Sequence, residues 1–332
     1  MDTYEDGINV LSLFDGCSAA YLALEKAGIK IKNYYSCEID KNAIAVQDYH
    51  YSGNTNFHKI GDVRDVIHSC HELYHVDLII ISSPCTQLSS INTKDRSGLE
   101  GPDSKLFYDA LKIIQEIAVF HTSKKVHFLS ENVASMSKVN RDLITKSLKN
   151  VFPDTQMLRI DSALLAPAHR RRLYWTNIPD VSVPKANGKN YQDIVVNGYV
   201  DKAKANVILS SNVTSTNGIR RYYKMNIGNI IFKDKEFAAL SPDAKLLMYP
   251  TILKDSYYNG KLRIKASEYE FLNGCYRVPS VLEKERMMTI SDGYISYVPN
   301  ISKTEKNKIL GLSFTVDVIA HLLSSISPIN CI

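Results

Sequence analysis

The sequence predicts an α/β protein: an open, mainly parallel sheet, with a smaller irregular domain after it. Two observations carry the sheet. Apolar runs of strand length recur at residues 8–14, 34–37, 57–60, 77–83 and 125–129, with helix-like segments between them. Each run stops in a turn of small or acidic residues, and in open parallel sheets ligands gather beyond the carboxyl ends of the strands. A third observation carries the second domain. Beyond Pro179 the alternation fails, and residues 181–278 are richer in Asn, Tyr and Lys, with short strand-like runs such as Val207-Ile208-Leu209. Apolar helical periodicity then returns, which divides the chain into 1–180, 181–278 and a closing segment 279–332 that packs back onto the first domain.

A chain of 332 residues with 45% hydrophobic content can bury a full core, which excludes a disordered or fibrous protein. Six cysteines (Cys17, Cys37, Cys70, Cys85, Cys275, Cys331) form no C-x-x-C pair. Neither a disulfide framework nor a metal site is expected, and a reducing compartment fits. No signal-like amino terminus and no apolar run of membrane-spanning length is read, so the expectation is a soluble intracellular protein that does not engage a membrane. A net charge of +5 and a pI near 8.7 allow a polyanionic partner without requiring one.

The first strand, Ile8 to Phe14, runs into Asp15-Gly16-Cys17-Ser18 and then an amphipathic helix closed by Gly28. Gly16 allows a close backbone turn against a ligand, yet alone it falls short of the three-glycine dinucleotide fingerprint and reads equally as a plain turn. The second strand ends in Glu38-Ile39-Asp40. Glu38 lies about twenty residues past the glycine turn, the ribose-hydroxyl position of such sheets, while Asp40 reads as a helix cap. The third ends in Gly61-Asp62-Val63, so three successive strand ends carry what an adenosine-type ligand would need. The fourth, Ile79-Ile80-Ile81, leads into Ser82-Ser83-Pro84-Cys85, delivering a thiol to the ligand edge of the sheet. Residues 92–101 follow as a polar stretch ending in glycines, either a closing loop or simple surface. A fifth strand, 125–129, then ends in Ser130-Glu131-Asn132-Val133, an acid at the same edge as the thiol. Strands at 155–160 and 172–176 are joined through His169-Arg170-Arg171-Arg172, which suits phosphate binding or solubility alike. In the second domain Arg220-Arg221-Tyr222-Tyr223-Lys224 mixes cations with aromatic faces, as nucleic-acid binding requires, although edge-strand surface is the plainer reading.

Taken in order, Phe14-Asp15-Gly16, Glu38, Gly61-Asp62-Val63, Ser83-Pro84-Cys85, Glu131-Asn132-Val133, His169 to Arg172 and Gly311 to Ile319 resemble the DNA cytosine-5 methyltransferase family across nearly the whole chain. The likeness is strongest to the catalytic domain of the vertebrate de novo enzymes. The Pro-Cys turn and the Glu-Asn-Val triplet are specific only together. The resemblance implies a Rossmann-like sheet that binds S-adenosyl-L-methionine, with residues 181–278 as a target-recognition domain and double-stranded DNA as partner. It implies that Cys85 adds to carbon-6 of a flipped cytosine, that Glu131 holds the base at N3, and that Arg170 and Arg172 act beside it. Asn132 would hold the turn next to the nucleic acid, with Arg171, Arg220, Arg221 and Lys224 as further contacts. Phe14, Asp15, Gly16, Glu38, Ile39, Asp62, Val63, Pro84, Ser313 and Phe314 would surround the cofactor.

Some positions depart from the family pattern. Alanine at Ala19 or Ala20 replaces its second glycine, and Ala168 replaces the glutamine of its arginine motif. The first motif begins within ten residues of the amino terminus, which fits a stand-alone microbial or viral enzyme in a microbial cytoplasm, a nucleus or a host cell. Two rivals stand beside the DNA enzyme: a tRNA cytosine-5 methyltransferase using the same Cys and Glu, and a catalytically silent DNA-binding homologue. The oligomeric state stays open, a homodimer included.

Overall fold

The computed structural model describes residues 6–68, 73–90, 92, 94–120, 125–209, 222–223, 225–248, 257–258, 261–262 and 276–326. Seven strands form the main sheet: β1 Ile8–Leu13, β2 Ile31–Cys37, β3 Phe57–Lys59, β4 Leu78–Ile81, β5 His127–Val133, β6 Gln156–Asp161 and β7 Arg171–Thr176. Their order is β3-β2-β1-β4-β5-β7-β6; β1 to β5 run parallel and β7 is antiparallel to both its neighbours. This is the Rossmann-like α/β arrangement expected from the sequence. The helices of this part are α1 Ala19–Lys26, α2 Lys41–Tyr51, α3 Val63–Val66, α4 Leu106–Phe120 and α5 Lys138–Val151.

Every residue of β4 is buried, as a strand covered on both faces requires, and this explains why its sequence is an unbroken apolar run rather than an alternation. In α4, Phe107, Ala110, Ile113, Ile114 and Ile117 are buried at helical spacing and join β4 and β5 in one core. The strand order reverses between β1 and β4, whose ends lie side by side with Leu13 opposite Ile81. The turn after β1 and the Cys85 turn after β4 are therefore neighbours at the switch point, where open α/β sheets bind ligands. One boundary differs from expectation. β5 continues through Val133, because pairing with β7 carries its hydrogen-bond ladder past residue 129, so Glu131 and Asn132 lie within a strand rather than in a turn beyond it.

The chain divides into two compact units, one formed by Met1–Leu165, Arg170–Asn187 and Ser313–Ile332, the other by Ala166–His169 and Gly188–Leu312. The return to the first unit falls at Ser313 rather than 279. Helix Val281–Met287 packs against helix Lys303–Leu312 and the short turn Tyr191–Ile194 of its own unit, whereas helix Val316–Leu323 packs against α1. The stretch Lys303–Ile326 has the length and apolar composition to cross a membrane, which the sequence reading passed over; it is divided at Ser313 to Thr315 into those two helices, and 56% of its most apolar 18-residue window is buried within the protein.

The second unit is irregular, with two-residue strands Ile231–Phe232 and Tyr276–Arg277 paired antiparallel and a small core of Tyr222, Ile230, Phe232 and Ala238. Carboxylates in its interior replace regular structure as organisers. Glu283 is held by both terminal nitrogens of Arg277, each at 2.7 Å, and by the amides of Val196 and Ser280. Glu285, fully buried, accepts hydrogen bonds from the amides of Gly293, Ile295 and Ser296 and from the Ser296 hydroxyl. Removing the second carboxylate orphans the buried amides of Gly293 and Ile295 and the half-buried amide and hydroxyl of Ser296, and each orphaned buried donor costs about 1–3 kcal/mol. Glu285→Ala is thus expected to lose at least about 3 kcal/mol of stability, read as a lower urea midpoint, whereas an exposed control such as Glu236→Ala should leave the midpoint in place.

Candidate active site

The turn after β1 is built around a buried carboxylate. Asp15 accepts hydrogen bonds from the hydroxyls of Ser12 (2.5 Å), Ser18 (2.6 Å), Tyr34 (2.5 Å) and Ser36 (2.8 Å) and from the Gln47 amide (3.2 Å). Burial raises its pKa, and the four hydroxyls pull it back down. Gln47, from α2, also donates to the Gly16 carbonyl at 2.8 Å. These contacts tie β1, β2 and α2 to a turn in which Phe14, Gly16 and Ser18 all have φ near +60°, a conformation that non-glycine residues adopt only when their surroundings impose it. The Asp15 side chain thus faces inward and shapes the turn.

Three backbone amides hold Glu38 at the end of β2. Gly16 N–H donates to Oε2 at 2.7 Å, and Ile39 and Asp40 N–H donate to Oε1 at 2.8 and 2.7 Å. Beside it Ile39 is 64% exposed, an apolar surface at the strand end with no core to cover it. Asp62 caps α3 and is gripped by Arg64, whose Nε and Nη2 lie 3.0 and 2.5 Å from its two oxygens, a pairing that lowers the Asp62 pKa. Asp40 caps α2. Val63, Ser313 and Phe314 are buried, Pro84 half-buried, and the Ser313 hydroxyl lies 3.7 Å from the Cys17 sulfur. Burial drives the Cys17 thiol up to about 12. Ala19 and Ala20 are both buried at the start of α1.

Cys85 is half-buried four residues past β4. Its carbonyl accepts the amides of Leu88 and Ser89, each at 3.0 Å, so it opens a single helical turn. The charges that act on the thiol come from β7 and β5. Glu131 lies opposite Tyr174 and Val133 opposite Arg172, so the two-residue period of a strand sets Arg170, Arg172 and Tyr174 on the face that carries Glu131 and turns Arg171 away. Arg172 Nε meets Glu131 Oε1 at 2.6 Å with both side chains nearly buried. Arg170, buried, donates to the Ser313 carbonyl at 2.7 Å; burial above all, with Arg172 next, brings its guanidinium down to about 10. Burial raises the Cys85 pKa most; Arg172 lowers it, Glu131 raises it and Arg170 lowers it. The resting thiol is thus protonated at neutral pH, with two guanidinium groups placed to favour a thiolate once it forms.

The residues expected beside the nucleic acid have these partners. Asn132 is buried and donates to the Ser83 carbonyl (3.2 Å) and hydroxyl (3.3 Å), so its side chain holds the turn. Tyr222 is fully buried, its hydroxyl on Asp201, because a small unit needs its aromatic groups for a core; it offers no surface to bases. Arg171 is exposed and pairs with Asp161 at 3.2 Å. Arg220, Arg221 and Lys224 lie outside the described residues. Among the described residues no group of three or more His, Cys, Asp or Glu is placed to hold a metal ion. The polar stretch 92–101 is tied down where described: Asn92 donates to the Thr86 carbonyl at 3.0 Å, and Arg96 to the carbonyls of Ser90 (2.8 Å) and Asn92 (3.1 Å). Sequence reasoning missed Ser12, Tyr34, Gln47, Gln87 and Ser104, all buried polar groups; a polar residue inside an apolar strand, as with Ser12 and Tyr34, was the available signal.

Residues 8–158 match the family profile for C-5 cytosine-specific DNA methylase. Among curated proteins the chain is 35% identical over 123 residues to the DNA (cytosine-5)-methyltransferase DRM2 of Oryza sativa subsp. japonica and 36% identical over 122 residues to that of Arabidopsis thaliana. These matches cover 35% and 34% of this chain and only 21% and 20% of the relatives, so the likeness spans about a fifth of their length. Among solved structures, a DNMT2 variant from Spodoptera frugiperda aligns over 97% of this chain and 100% of its own with a TM-score of 0.64 at 16% identity. The methyltransferase EhMeth of Entamoeba histolytica aligns over 96% and 98% with a TM-score of 0.66 at 15% identity. At such identities the structural likeness bears on the fold alone.

Asp15→Ala would leave four hydroxyls and an amide without their shared acceptor. A loss of at least about 3 kcal/mol is expected in urea unfolding. Asp15→Asn, which keeps an acceptor, should lose less; equal stability of Asp15→Ala and the parent would show that the network does not hold the turn.

Proposed function

Since the chain belongs, through residues 8–158, to the C-5 cytosine-specific DNA methylase family, we propose that it is an S-adenosyl-L-methionine-dependent methyltransferase acting on carbon-5 of cytosine in double-stranded DNA. The observation that carries this reading is the single constellation at the sheet edge: Cys85 after β4, under the charges of the buried Glu131–Arg172 pair and Arg170. Carbon-5 of cytosine is too weak a nucleophile to take a methyl group unaided. The Cys85 thiolate forms a sulfur–carbon bond at carbon-6, and the electron pair of the broken 5,6 double bond makes carbon-5 enamine-like. Glu131, held by Arg172, binds the N3 and exocyclic-amine edge, and a proton passed from its carboxyl group to N3 offsets the negative charge that builds there as the thiolate adds. After carbon-5 is methylated, loss of its proton expels the Cys85 thiolate and restores the aromatic ring. Such chemistry needs the base outside the duplex, and Arg170 and Arg172 are cations at the site it would enter.

The donor set at the β1 and β2 ends fits the methyl donor. Glu38 keeps lone pairs for ribose hydroxyls beyond those used by backbone amides, the exposed Ile39 offers a face to adenine, and Asp62 offers an acceptor to its amine. When bound, the cofactor supplies an electrophilic methyl group on a sulfonium. DNA is favoured as substrate by the matched family and by the curated relatives, themselves named DNA (cytosine-5)-methyltransferases. Addition at carbon-6 does not depend on the sugar, so tRNA is the second reading, and a silent DNA-binding homologue is disfavoured by the intact Cys85, Glu131, Arg170 and Arg172.

Tritiated S-adenosyl-L-methionine offered with duplex DNA, single-stranded DNA and tRNA tests the reading: label should enter duplex DNA, and label in tRNA alone would move the substrate to RNA. Cys85→Ser should abolish transfer while cofactor binding persists, and 5-fluorocytosine DNA should trap the parent covalently because fluorine stands in place of the carbon-5 proton whose loss would expel the thiolate. Retained turnover in Cys85→Ser would sink the mechanism. By calorimetry, Glu38→Ala and Asp62→Ala should each weaken S-adenosyl-L-methionine binding by roughly tenfold, about 1.4 kcal/mol; unchanged affinity in both would place the cofactor elsewhere.

A further inference from the structure

The turn that carries Cys85 is held from two sides. Asn132 fixes the residue before Pro84, as described. On the far side the holder is Gln87, two residues past the thiol and buried. Its Oε1 accepts both the backbone amide (3.1 Å) and the hydroxyl (3.0 Å) of Ser104, its backbone N–H donates to the Ser104 Oγ at 3.3 Å, and its Nε2 donates to Asp103 at 3.2 Å. Ser104 is completely buried at the entrance to α4. Gly101 completes the fit: a Cβ there would lie 2.4 Å from Gln87 Cγ and 2.5 Å from Ser97 Oγ. Glycine is thus required not for its dihedral angles but because the Gln87 side chain crosses its Cα. One amide therefore uses its acceptor and donor groups to join the Cys85 turn to the start of the helix that forms the core against β4 and β5.

We infer that Gln87 is a positioning residue, which clamps the Cys85 turn to Ser104 and so sets where the thiol stands relative to Glu131 and Arg172. The consequence for the reaction rests on Cys85 being the nucleophile. The clamp itself does not. An amide that is both acceptor and donor fits between Ser104, which presents two donors, and Asp103, which presents an acceptor; a carboxylate there would face Asp103 with like charge. When the clamp opens, the single turn that begins at Cys85 loses its anchor two residues on. The thiol then gains solvent while losing its alignment.

Partial unfolding would also raise alkylation and lower kcat, so the readout that separates an opened clamp from a loss of fold is an unchanged KM for both substrates. Gln87→Met keeps the volume over Gly101 and removes the side-chain hydrogen bonds, leaving the backbone one to Ser104; Ser104→Ala removes only the hydroxyl. In each, the alkylation rate of Cys85 by iodoacetamide, read by peptide mass spectrometry, is expected to rise severalfold. With the polynucleotide the parent methylates, kcat should fall roughly 10- to 100-fold for Gln87→Met while KM for both substrates stays within about twofold. The double variant should fall short of the product of the two single effects, since both remove one clamp. Cys85 alkylation within about twofold of the parent in both variants overturns the inference, as does an unchanged kcat beside raised alkylation. Cys85→Ser is run alongside: retained methyl transfer there refutes the nucleophile reading, while the alkylation rates still decide whether Gln87 places the thiol.

Discussion

The antiparallel pairing of β7 with β5 is the constraint from which the candidate site follows. Glu131 lies inside a central strand, where a lone carboxylate would be severely desolvated, and only a cation delivered to the same face offsets that. β7 delivers it. Because successive residues of a strand point to opposite faces, the run Arg170-Arg171-Arg172 is sorted by the sheet: the outer two turn toward Glu131, and the middle one turns to Asp161 at the surface. The same sorting brings two positive charges to bear on Cys85, against a burial that otherwise keeps its thiol protonated.

A second buried carboxylate does comparable work at the neighbouring strand end. Asp15 gathers donors from β1, β2 and α2 and stabilises a turn with three residues at positive φ. That turn in turn aims the Gly16 amide at Glu38. The geometry of the strand end thus depends on groups that never reach solvent, and a single acceptor coordinates four donors from three elements and a fifth, Ser18, from the turn itself. Gln87 plays the corresponding part after β4. In both places a buried polar side chain with several partners fixes a turn that its local sequence would leave free.

The second unit follows different physics. It has little sheet and a small aromatic core, and buried Glu283 and Glu285 draw scattered loop amides and an arginine around themselves. Such contacts join residues far apart in the chain without any periodic pattern. Tyr222 shows the same effect: as part of a basic aromatic run it resembles a nucleic-acid surface, yet it fills the core and its hydroxyl is spent on Asp201.

What could be read without coordinates was whatever repeats or sits at the end of a repeat. The apolar run of β4, the helical stripe of α4 and the strand ends carrying Gly16, Glu38, Asp62 and Cys85 follow from local periodicity, and from these the open parallel sheet was legible. The ordered motifs Pro84-Cys85 and Glu131-Asn132-Val133 were legible for the same reason, as short stretches with their own signature. Direction and partnership were not. That β5 runs on past residue 129, that Asp15 and Asn132 face inward, that Ser104 meets Gln87, and that the chain rejoins the first unit at Ser313 are decided by tertiary structure alone. The physical reason is the same in each case. A polar side chain is stable wherever its hydrogen bonds are met, in water or in a buried network, and its sequence neighbours do not say which; only the groups the fold brings to it do.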